Sequence, residues 1–452
     1  MSGEHLPRRQ RRRYREELCC TSKRHCKWIR QVVASEAETA SANAFPFTIS
    51  GRQRSRAQRE SEFASVGAFG SNGSVFAKAL IPEEDIEHLS VFRPAVEKMA
   101  PYVPGEQPRP GQRLIKLNTN ENPYPPSPAV ARRVREALKN GALRLYPPPR
   151  PQALIERAAS VFGVPRDRVI AGNGCDELLG ILFRATLGHG DTLAYPSPSY
   201  TLYDTLATIQ EARVEHIPFS LGTDGMLAAL ARARAKLTIL CNPNSPSGAF
   251  TPIEALDRLA GRLSPRLLAI DEAYVDFADE NAVRLLKRHD NVVILRSLSK
   301  SFSLAGVRLG LCFASAPVIE TLSKIKDSYN VSRLALAAGV GALEDMPWMR
   351  RNVMRVKRER ERAVRVLTGF GFEVLPSWAN FVFARIAGSD LSALAGALRR
   401  KGILVRHFNS PCLRDGLRIS IGTRAEMNAL YAALKGLKQY MRAVGDSQRR
   451  AK

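Results

Sequence analysis

Residues 291–310 read NVVILRSLSKSFSLAGVRLG and combine a strand pattern with a reactive lysine. The apolar run VVIL is typical of a buried parallel strand. Lys300 follows this run among small hydroxyl residues such as Ser297 and Ser299. A lysine beside a cation in a partly dry site has a lowered pKa, so its amine can attack a carbonyl. The nearby hydroxyls and Arg308 are groups that can bind a phosphate. The combination favours a lysine that links to pyridoxal 5′-phosphate, although an isolated stretch of this kind is more often a surface loop.

A second motif, AIDEAYVDF, places Asp271 at the end of another apolar run. A carboxylate there is costly unless it is paired, and a protonated pyridine nitrogen would pair with it. Tyr274, three residues further on, is suited to donate to a ring hydroxyl. Asp271 and Lys300 are separated by about one strand–helix–strand unit, so we expect both at one crevice of an open sheet.

Two further motifs follow predicted strands. In GNGCDELL, the backbone amides of Gly174, Cys175 and Asp176 can open a helix and bind a phosphate, although a plain strand–turn–helix junction looks the same. In YPSPSYTLY, Tyr200 can stack on a planar ring or serve as a core tyrosine. Each signal is weak when taken alone.

The composition of the 452-residue chain is that of a folded protein, since 44% of its residues are hydrophobic. No run reaches the roughly 18–20 apolar residues that span a membrane, which predicts a soluble protein. The formal charge of +25 suits anionic substrates or nucleic acid. Because the arginines are spread along the chain without interleaved aromatics, nucleic-acid binding is not favoured. A basic interaction protein that acts through its N-terminal leader is the alternative from a different class.

The seven cysteines are not spaced as a disulfide framework, which predicts a reducing, cytoplasmic compartment. Four residues of types that bind metals cluster near the N-terminus: Cys19, Cys20, His25 and Cys26. Their spacing matches neither a zinc finger nor a zinc ribbon, so no metal is predicted.

Apolar runs alternate with helical patterns from about residue 92, which predicts an α/β fold. Seven runs predict a large domain with a mainly parallel sheet flanked by helices: RVIAG, DTLAYP, ARVEHIPF, LTILCNP, RLLAIDEA, NVVILRS and VRLGLCFA. The N-terminal segment and the C-terminal runs FEVLPS, NFVFARI, ILVR and GLRISIG predict a smaller α+β domain. AVARRVREALKNG predicts a helix closed by Gly141, and the arginine-rich helix at 348–367 predicts charges on a solvated face.

The predicted boundaries run from a leader to a tail. They comprise a disordered basic leader at 1–85, an N-terminal arm with part of the small domain at 86–140, the large domain at 141–345, the rest of the small domain at 346–443 and a disordered tail at 444–452.

Taken together, the motifs resemble the fold-type I pyridoxal-phosphate aminotransferases, over a span from about Phe92 to about Tyr440. The ordered series is KLNTNENPYPPSP, LYPPP, GNGCDELL, NPNSPSG, DEAYVDF, LSKSFSLAGVRLG, YNVS, NFVF and LRISIGT. The resemblance implies that Lys300 carries pyridoxal 5′-phosphate covalently and later moves protons between the substrate Cα and the cofactor C4′. It implies that Asp271 pairs with the ring nitrogen and that Tyr274 contacts the ring oxygen.

The resemblance also implies a phosphate-binding set: Ser297, Ser299, Arg308 and the amides of Gly174, Cys175 and Asp176. Tyr200 would stack on the ring, and Tyr146 would reach the phosphate in the neighbouring subunit of a homodimer. The family loop has asparagine directly before its Pro-Thr-Gly, where this chain has Ser245. We expect Asn244 to supply the missing contact to the ring oxygen, with the Ser245 hydroxyl as the alternative.

At the substrate end, the resemblance implies that Arg418 binds the amino-acid carboxylate or the substrate phosphate. Arg406 and Tyr124 would complete the phosphate end. The implied reaction is transamination between a phosphorylated amino alcohol of histidine biosynthesis and 2-oxoglutarate or glutamate. Two alternatives keep the same cofactor: a threonine-phosphate decarboxylase and an aromatic or broad-range amino-acid aminotransferase.

Overall fold

The structure, a computed structural model, describes residues 91–100, 104–109 and 111–437. The predictions made for the leader, for the tail and for the cluster of Cys19, Cys20, His25 and Cys26 lie outside these residues. All described residues belong to one compact unit.

A seven-stranded sheet forms the centre of the described fold. Its strands are β2 (Val169–Gly172), β3 (Thr192–Ser197), β4 (Arg213–Pro218), β5 (Leu237–Cys241), β6 (Leu267–Asp271), β7 (Val292–Ser297) and β8 (Gly310–Phe313). Their spatial order is β2-β8-β7-β6-β5-β3-β4, and β8 alone runs in the direction opposite to the other six strands. All seven predicted strands are confirmed.

Both faces of this sheet are covered, as the lack of polar alternation predicts. Ile294 of β7 packs into one hydrophobic core, whereas Val293 and Leu295 pack into a second core on the opposite face. The covering helices are α3 (Gln152–Phe162), α4 (Cys175–Thr186), α5 (Leu202–Ile209), α6 (Gly222–Arg232), α7 (Ile253–Leu263), α8 (Ala316–Ile325) and α9 (Arg333–Glu344). The predicted α/β class with a mainly parallel sheet is confirmed.

A second sheet of five strands joins the N-terminal and C-terminal segments. Its strands are β1 (Ile115–Leu117), β9 (Glu373–Val374), β10 (Phe381–Arg385), β11 (Ile403–His407) and β12 (Gly416–Ser420), in the order β1-β11-β12-β10-β9. The remaining helices are α1 (Pro94–Glu97), α2 (Pro128–Ala137), α10 (Met346–Gly369), α11 (Ser392–Arg400) and α12 (Arg424–Lys435). The sequence did not predict β1 as a strand. The domain boundaries stay a prediction.

Two local expectations were wrong. Helix α2 ends at Ala137 rather than at Gly141, because a 3₁₀ segment follows in which Asn140 and Gly141 both adopt positive φ. The charged residues of α10 are not all solvated, since Arg360 is only 8% exposed and donates to the carbonyl oxygens of Phe277 and Ala379.

Within the described residues, none of the helices combines the length and apolar character needed to cross a bilayer. The same residues contain no group of three or more histidine, cysteine or acidic side chains placed to bind a metal ion.

Candidate active site

A cavity of about 300 Å³ opens where the carboxyl ends of β6 and β7 meet the five-stranded sheet. Open α/β sheets bind ligands at this edge because their strand ends and following loops converge there. Most of the predicted site residues line it: Cys175, Asp176, Tyr200, Asp271, Tyr274, Ser297, Ser299, Lys300, Arg308, Arg406 and Arg418. The rest of the cavity wall comes from residues 118–121 of the loop after β1 and from Gly105, Cys241 and Ser245.

Lys300 lies in the loop that follows β7, and its amine faces the cavity. Its Nζ donates to the carbonyl oxygen of Thr119 at 3.2 Å, and Asn122 Nδ2 donates to the Lys300 carbonyl at 2.9 Å. Burial lowers the pKa of Lys300 to about 8, and the positive charge of Arg418 adds to this effect. The lowered pKa increases the share of the amine that is unprotonated near neutral pH, which is the form that a nucleophile requires.

Asp271 ends strand β6 and is 3% exposed. Its Oδ2 accepts a hydrogen bond from the Tyr203 hydroxyl at 2.7 Å, and its Oδ1 accepts from the amide of Ala273 at 3.1 Å. Burial raises the pKa of Asp271 to about 6, although the Tyr203 hydrogen bond opposes the rise. A cationic ligand atom would relieve this desolvation, so the carboxylate suits a protonated ring nitrogen.

A phosphate-sized anion site lies at the start of α4. Gly174 caps this twelve-residue helix with φ +86°, and an added Cβ would come within 2.9 Å of Arg308 Nη2. The Ser299 hydroxyl is buried and has no hydrogen-bond partner among the described residues. An uncompensated buried hydroxyl beside an arginine and a helix N-terminus matches the needs of a phosphate. These residues therefore fit the phosphate group of the cofactor that the resemblance implies.

Two arginines of the five-stranded sheet also line the cavity. Arg406 of β11 and Arg418 of β12 are direct cross-strand partners, and each guanidinium lies 5.5 Å from the ring centroid of Phe408. Arg418 donates to Ser245 Oγ at 3.1 Å and to the carbonyl oxygen of Asn118 at 2.9 Å. The pair presents planar donors that suit carboxylate and phosphate groups.

Asn244 does not line this cavity. Its Nδ2 donates to the carbonyl oxygen of Pro198 at 3.2 Å and to Ser247 Oγ at 2.9 Å, and its Oδ1 accepts from Ser199. The amide is thus used inside its own loop, and Ser245 is the loop residue on the cavity wall.

Two predicted tyrosines also lie away from the cavity of their own chain. Tyr124 has the guanidinium of Arg355 at 5.1 Å from its ring centroid. Tyr146 is 77% exposed and stacks on Tyr329 with a centroid distance of 4.6 Å. Their predicted roles at a site therefore require either a second subunit or movement of the chain.

A buried ion network, which the sequence did not predict, lies directly behind the site. Arg296 Nη1 donates to Glu272 Oε2 at 3.0 Å, and its Nη2 bonds Asp276, which also accepts from the Ser301 hydroxyl. Arg296 is 4% exposed and Glu272 is 1% exposed. Because Glu272 adjoins Asp271 in sequence and Ser301 adjoins Lys300, this network fixes the backbone on both sides of the cavity.

Replacing Arg296 with alanine should destabilise the fold by about 3–5 kcal/mol, because two carboxylates would lose their buried counter-ion. Urea unfolding followed by circular dichroism measures this change. The matched control is Arg284→Ala, which breaks an exposed pair with Glu254 and should change the stability little. Equal losses for the two variants would contradict the structural role of Arg296.

Comparison with known proteins identifies the family of this chain. The family "Aminotransferase class I and II" matches residues 112–434. The chain therefore belongs to the class I and II aminotransferases, and the resemblance drawn from the motifs is confirmed. Its fold is also that of Thermus thermophilus aspartate aminotransferase, with a TM-score of 0.66 at 23% identity over 77% of this chain and 99% of that one.

The similar curated relatives share one activity in their names. Histidinol-phosphate aminotransferase from Geobacter sulfurreducens is 46% identical over 347 residues, which cover 76% of this chain and 98% of the relative. Histidinol-phosphate aminotransferase 1 from Bradyrhizobium diazoefficiens is 42% identical over 349 residues, with 76% and 99% covered. The crystal structure of the Sinorhizobium meliloti histidinol-phosphate aminotransferase in complex with pyridoxal-5′-phosphate has a TM-score of 0.72 at 28% identity, with 78% and 98% covered.

Proposed function

We propose that this chain is a pyridoxal-phosphate-dependent histidinol-phosphate aminotransferase. It exchanges an amino group between L-histidinol phosphate and 2-oxoglutarate, giving imidazole-acetol phosphate and L-glutamate in histidine biosynthesis. The observation that carries the proposal is a cavity lined by two separate groups of anion-binding side chains. Arg308 and Ser299 form one group. Arg406 and Arg418 of the five-stranded sheet form the other, and Lys300 lines the same cavity.

The cofactor would be held by residues whose donors and acceptors match its groups. The helix N-terminus at Gly174, with Arg308 and Ser299, would bind the phosphate, and Asp271 would pair with the ring nitrogen. When bound, pyridoxal phosphate supplies a carbonyl that links to amines and a cationic ring that stabilises negative charge at the substrate Cα. Tyr274 would donate to the ring oxygen, which leaves Ser245 to orient Arg418 rather than to contact the ring.

Lys300 serves as the base and acid of the reaction. Its lowered pKa lets the amine accept a proton from the substrate Cα and return it to the cofactor C4′. The carbonyl of Thr119 holds the amine in place at 3.2 Å. Arg406 and Arg418 bind the phosphate of one substrate and the carboxylate of the other, so one site accepts both in turn.

The working unit of this proposal is a cytoplasmic homodimer. Large apolar side chains are exposed in two segments that meet where Tyr146 stacks on Tyr329: Leu138, Leu143, Leu145, Tyr146, Ile325 and Tyr329. Burial of these side chains against a second copy would be favourable, and it would bring Tyr146 towards the partner's cofactor. The four described cysteines are free thiols, which suits a reducing compartment.

A coupled assay tests the substrate directly. Histidinol phosphate, phenylalanine and phosphothreonine are offered side by side, and glutamate formation from 2-oxoglutarate is followed. We expect the highest kcat/KM for histidinol phosphate. A higher value for phenylalanine, or carbon dioxide release from phosphothreonine without a keto acid, would contradict the proposal.

Arg406→Ala should raise the KM for histidinol phosphate by roughly 10–100-fold, because a charge-assisted contact to phosphate is lost. The KM for glutamate should rise less, since Arg418 retains the carboxylate. The two KM values are measured in the separate half-reactions. Arg385→Ala serves as the control, because it removes an exposed arginine of the same sheet that pairs with Glu373. Equal increases for both substrates would overturn the role given to Arg406.

A further inference from the structure

Asn120 connects the five-stranded sheet to the candidate active site. It lies in the loop after β1, is 1% exposed and adopts the left-handed backbone conformation with φ +56°. Its Nδ2 lies 3.1 Å from the hydroxyl of Tyr274, 154 residues away in sequence. An asparagine is among the few side chains other than glycine that tolerate this backbone conformation.

The orientation of the Asn120 side chain follows from its second partner, Ser420. The backbone N–H of Asn120 donates to Ser420 Oγ at 2.8 Å, so the serine oxygen acts as an acceptor there. The serine proton is then free for Asn120 Oδ1, which lies 2.9 Å away. With Oδ1 engaged as an acceptor, the NH₂ group is the part of the amide that faces Tyr274.

This orientation determines where the Tyr274 proton points. Because Asn120 donates, the phenolic oxygen of Tyr274 accepts, and its own proton must be directed elsewhere. Among the described residues, Asn120 is the only group that hydrogen-bonds this hydroxyl. Tyr274 also lines the cavity beside Lys300, whose Nζ lies 5.8 Å from the tyrosine ring centroid. Burial raises the pKa of Tyr274 to about 12, so the hydroxyl keeps its proton at neutral pH.

We propose that Asn120 is a positioning residue that directs the Tyr274 hydroxyl proton towards the ring oxygen of the bound cofactor. The inference rests on the proposed function only in that pyridoxal phosphate binds with its ring oxygen beside Tyr274. Asn120 acts through Tyr274, by fixing the direction of one proton.

Two variants separate this role from a structural one. N120D keeps the shape and tolerates the backbone conformation, but its carboxylate accepts the Tyr274 proton and turns it away from the cavity. N120G also suits φ +56° and removes the amide without adding charge. The readouts are the dissociation constant of the cofactor-free protein for pyridoxal phosphate and the pH at which the visible absorbance of the holoenzyme changes.

We expect N120D to weaken cofactor binding by about tenfold, the range for loss of a hydrogen bond to a charged group, and N120G to weaken it less. The absorbance transition should move to higher pH in both variants. The reason is that a hydrogen-bond donor to the ring oxygen reduces the negative charge on that oxygen. This charge stabilises the proton on the nitrogen that would link Lys300 to the cofactor, so losing the donor raises the pKa of that nitrogen.

The same two substitutions are then made in a Y274F background. There the effect of N120G should disappear, because no hydroxyl remains to be directed. Unchanged binding and absorbance in both single variants, or an N120G effect that persists in Y274F, would overturn the proposal. These measurements contain no amino-group substrate. Their outcome therefore does not depend on whether the enzyme accepts histidinol phosphate.

Discussion

Replacing Lys300 with alanine should lower the transamination rate by about 10²–10⁴-fold, the range expected when a positioned acid–base group is removed. The loss has two sources: the covalent attachment of the cofactor and the proton transfer at the substrate Cα. Lys300→Arg should lose as much activity, because arginine retains the positive charge but cannot give an unprotonated amine near neutral pH. Steady-state kinetics with histidinol phosphate and 2-oxoglutarate measures both variants.

A matched control for this loss is Lys357→Ala. Lys357 is also partly buried and pairs with Asp279 at 2.6 Å, but it lies outside the residues that line the cavity. Its removal should leave the turnover within a few-fold of the starting value. Retention of activity in Lys300→Arg would mean that the charge, rather than the nucleophilic amine, is what the site requires.

Asp271→Asn should reduce kcat by about 10²–10³-fold, because a preorganised charge facing the cationic ring nitrogen is lost while the side-chain shape is kept. The substitution should also change how cofactor binding depends on pH. In the free protein, burial raises the pKa of Asp271 to about 6, and a bound cation beside it lowers that pKa. The affinity for pyridoxal phosphate is therefore highest above pH 6, where Asp271 is ionised. It falls by up to tenfold per pH unit as the pH drops below 6.

This pH dependence is measured by titrating pyridoxal phosphate into the cofactor-free protein between pH 5 and pH 8. The variant lacks the titrating carboxylate, so the difference between the two binding curves isolates the contribution of Asp271. Asp204→Asn is a suitable control, since this exposed carboxylate pairs with His216 on the surface. Identical pH dependences for the parent chain and for Asp271→Asn would exclude Asp271 as the partner of the ring nitrogen.

The parts of the fold that the sequence predicts are those governed by local pattern. Strands such as β6 and β7 are buried on both faces, so their residues are apolar without polar alternation. Such runs can be recognised in the sequence as buried strands. Asp271 ends β6, whereas Lys300 and Arg308 lie in the segment that joins β7 to β8. Because β6 and β7 are parallel neighbours, these positions come to one edge of the sheet. Their grouping in one cavity could therefore be predicted.

The residues that were missed depend on contacts between distant segments. Tyr203 donates to Asp271 across 68 residues, and Asn120 reaches Tyr274 across 154 residues. In the motif YTLY, the helical spacing does not reveal which tyrosine faces the carboxylate. In the sequence, Arg296 is simply a charged residue near the end of a strand. Its buried contacts with Glu272 and Asp276 are visible only in the folded structure.

Asn244 illustrates a different limit. The family pattern predicts an amide at the ring oxygen, and Asn244 is the amide nearest in sequence to that position. Its loop is fixed by prolines, and the side chain bonds within that loop to Pro198 and Ser247. A shift of one residue changes the direction of a side chain, and sequence spacing alone does not resolve such a shift.

The most direct test concerns the amine of Lys300. The holoenzyme is treated with borohydride, digested and mapped by mass spectrometry, which finds the lysine that carries a reduced pyridoxyl phosphate group. We expect the label on the peptide containing Lys300, together with loss of the visible absorbance. A label on another lysine near the cavity, such as Lys116, or no label at all, would contradict the assignment of Lys300 as the residue that binds the cofactor.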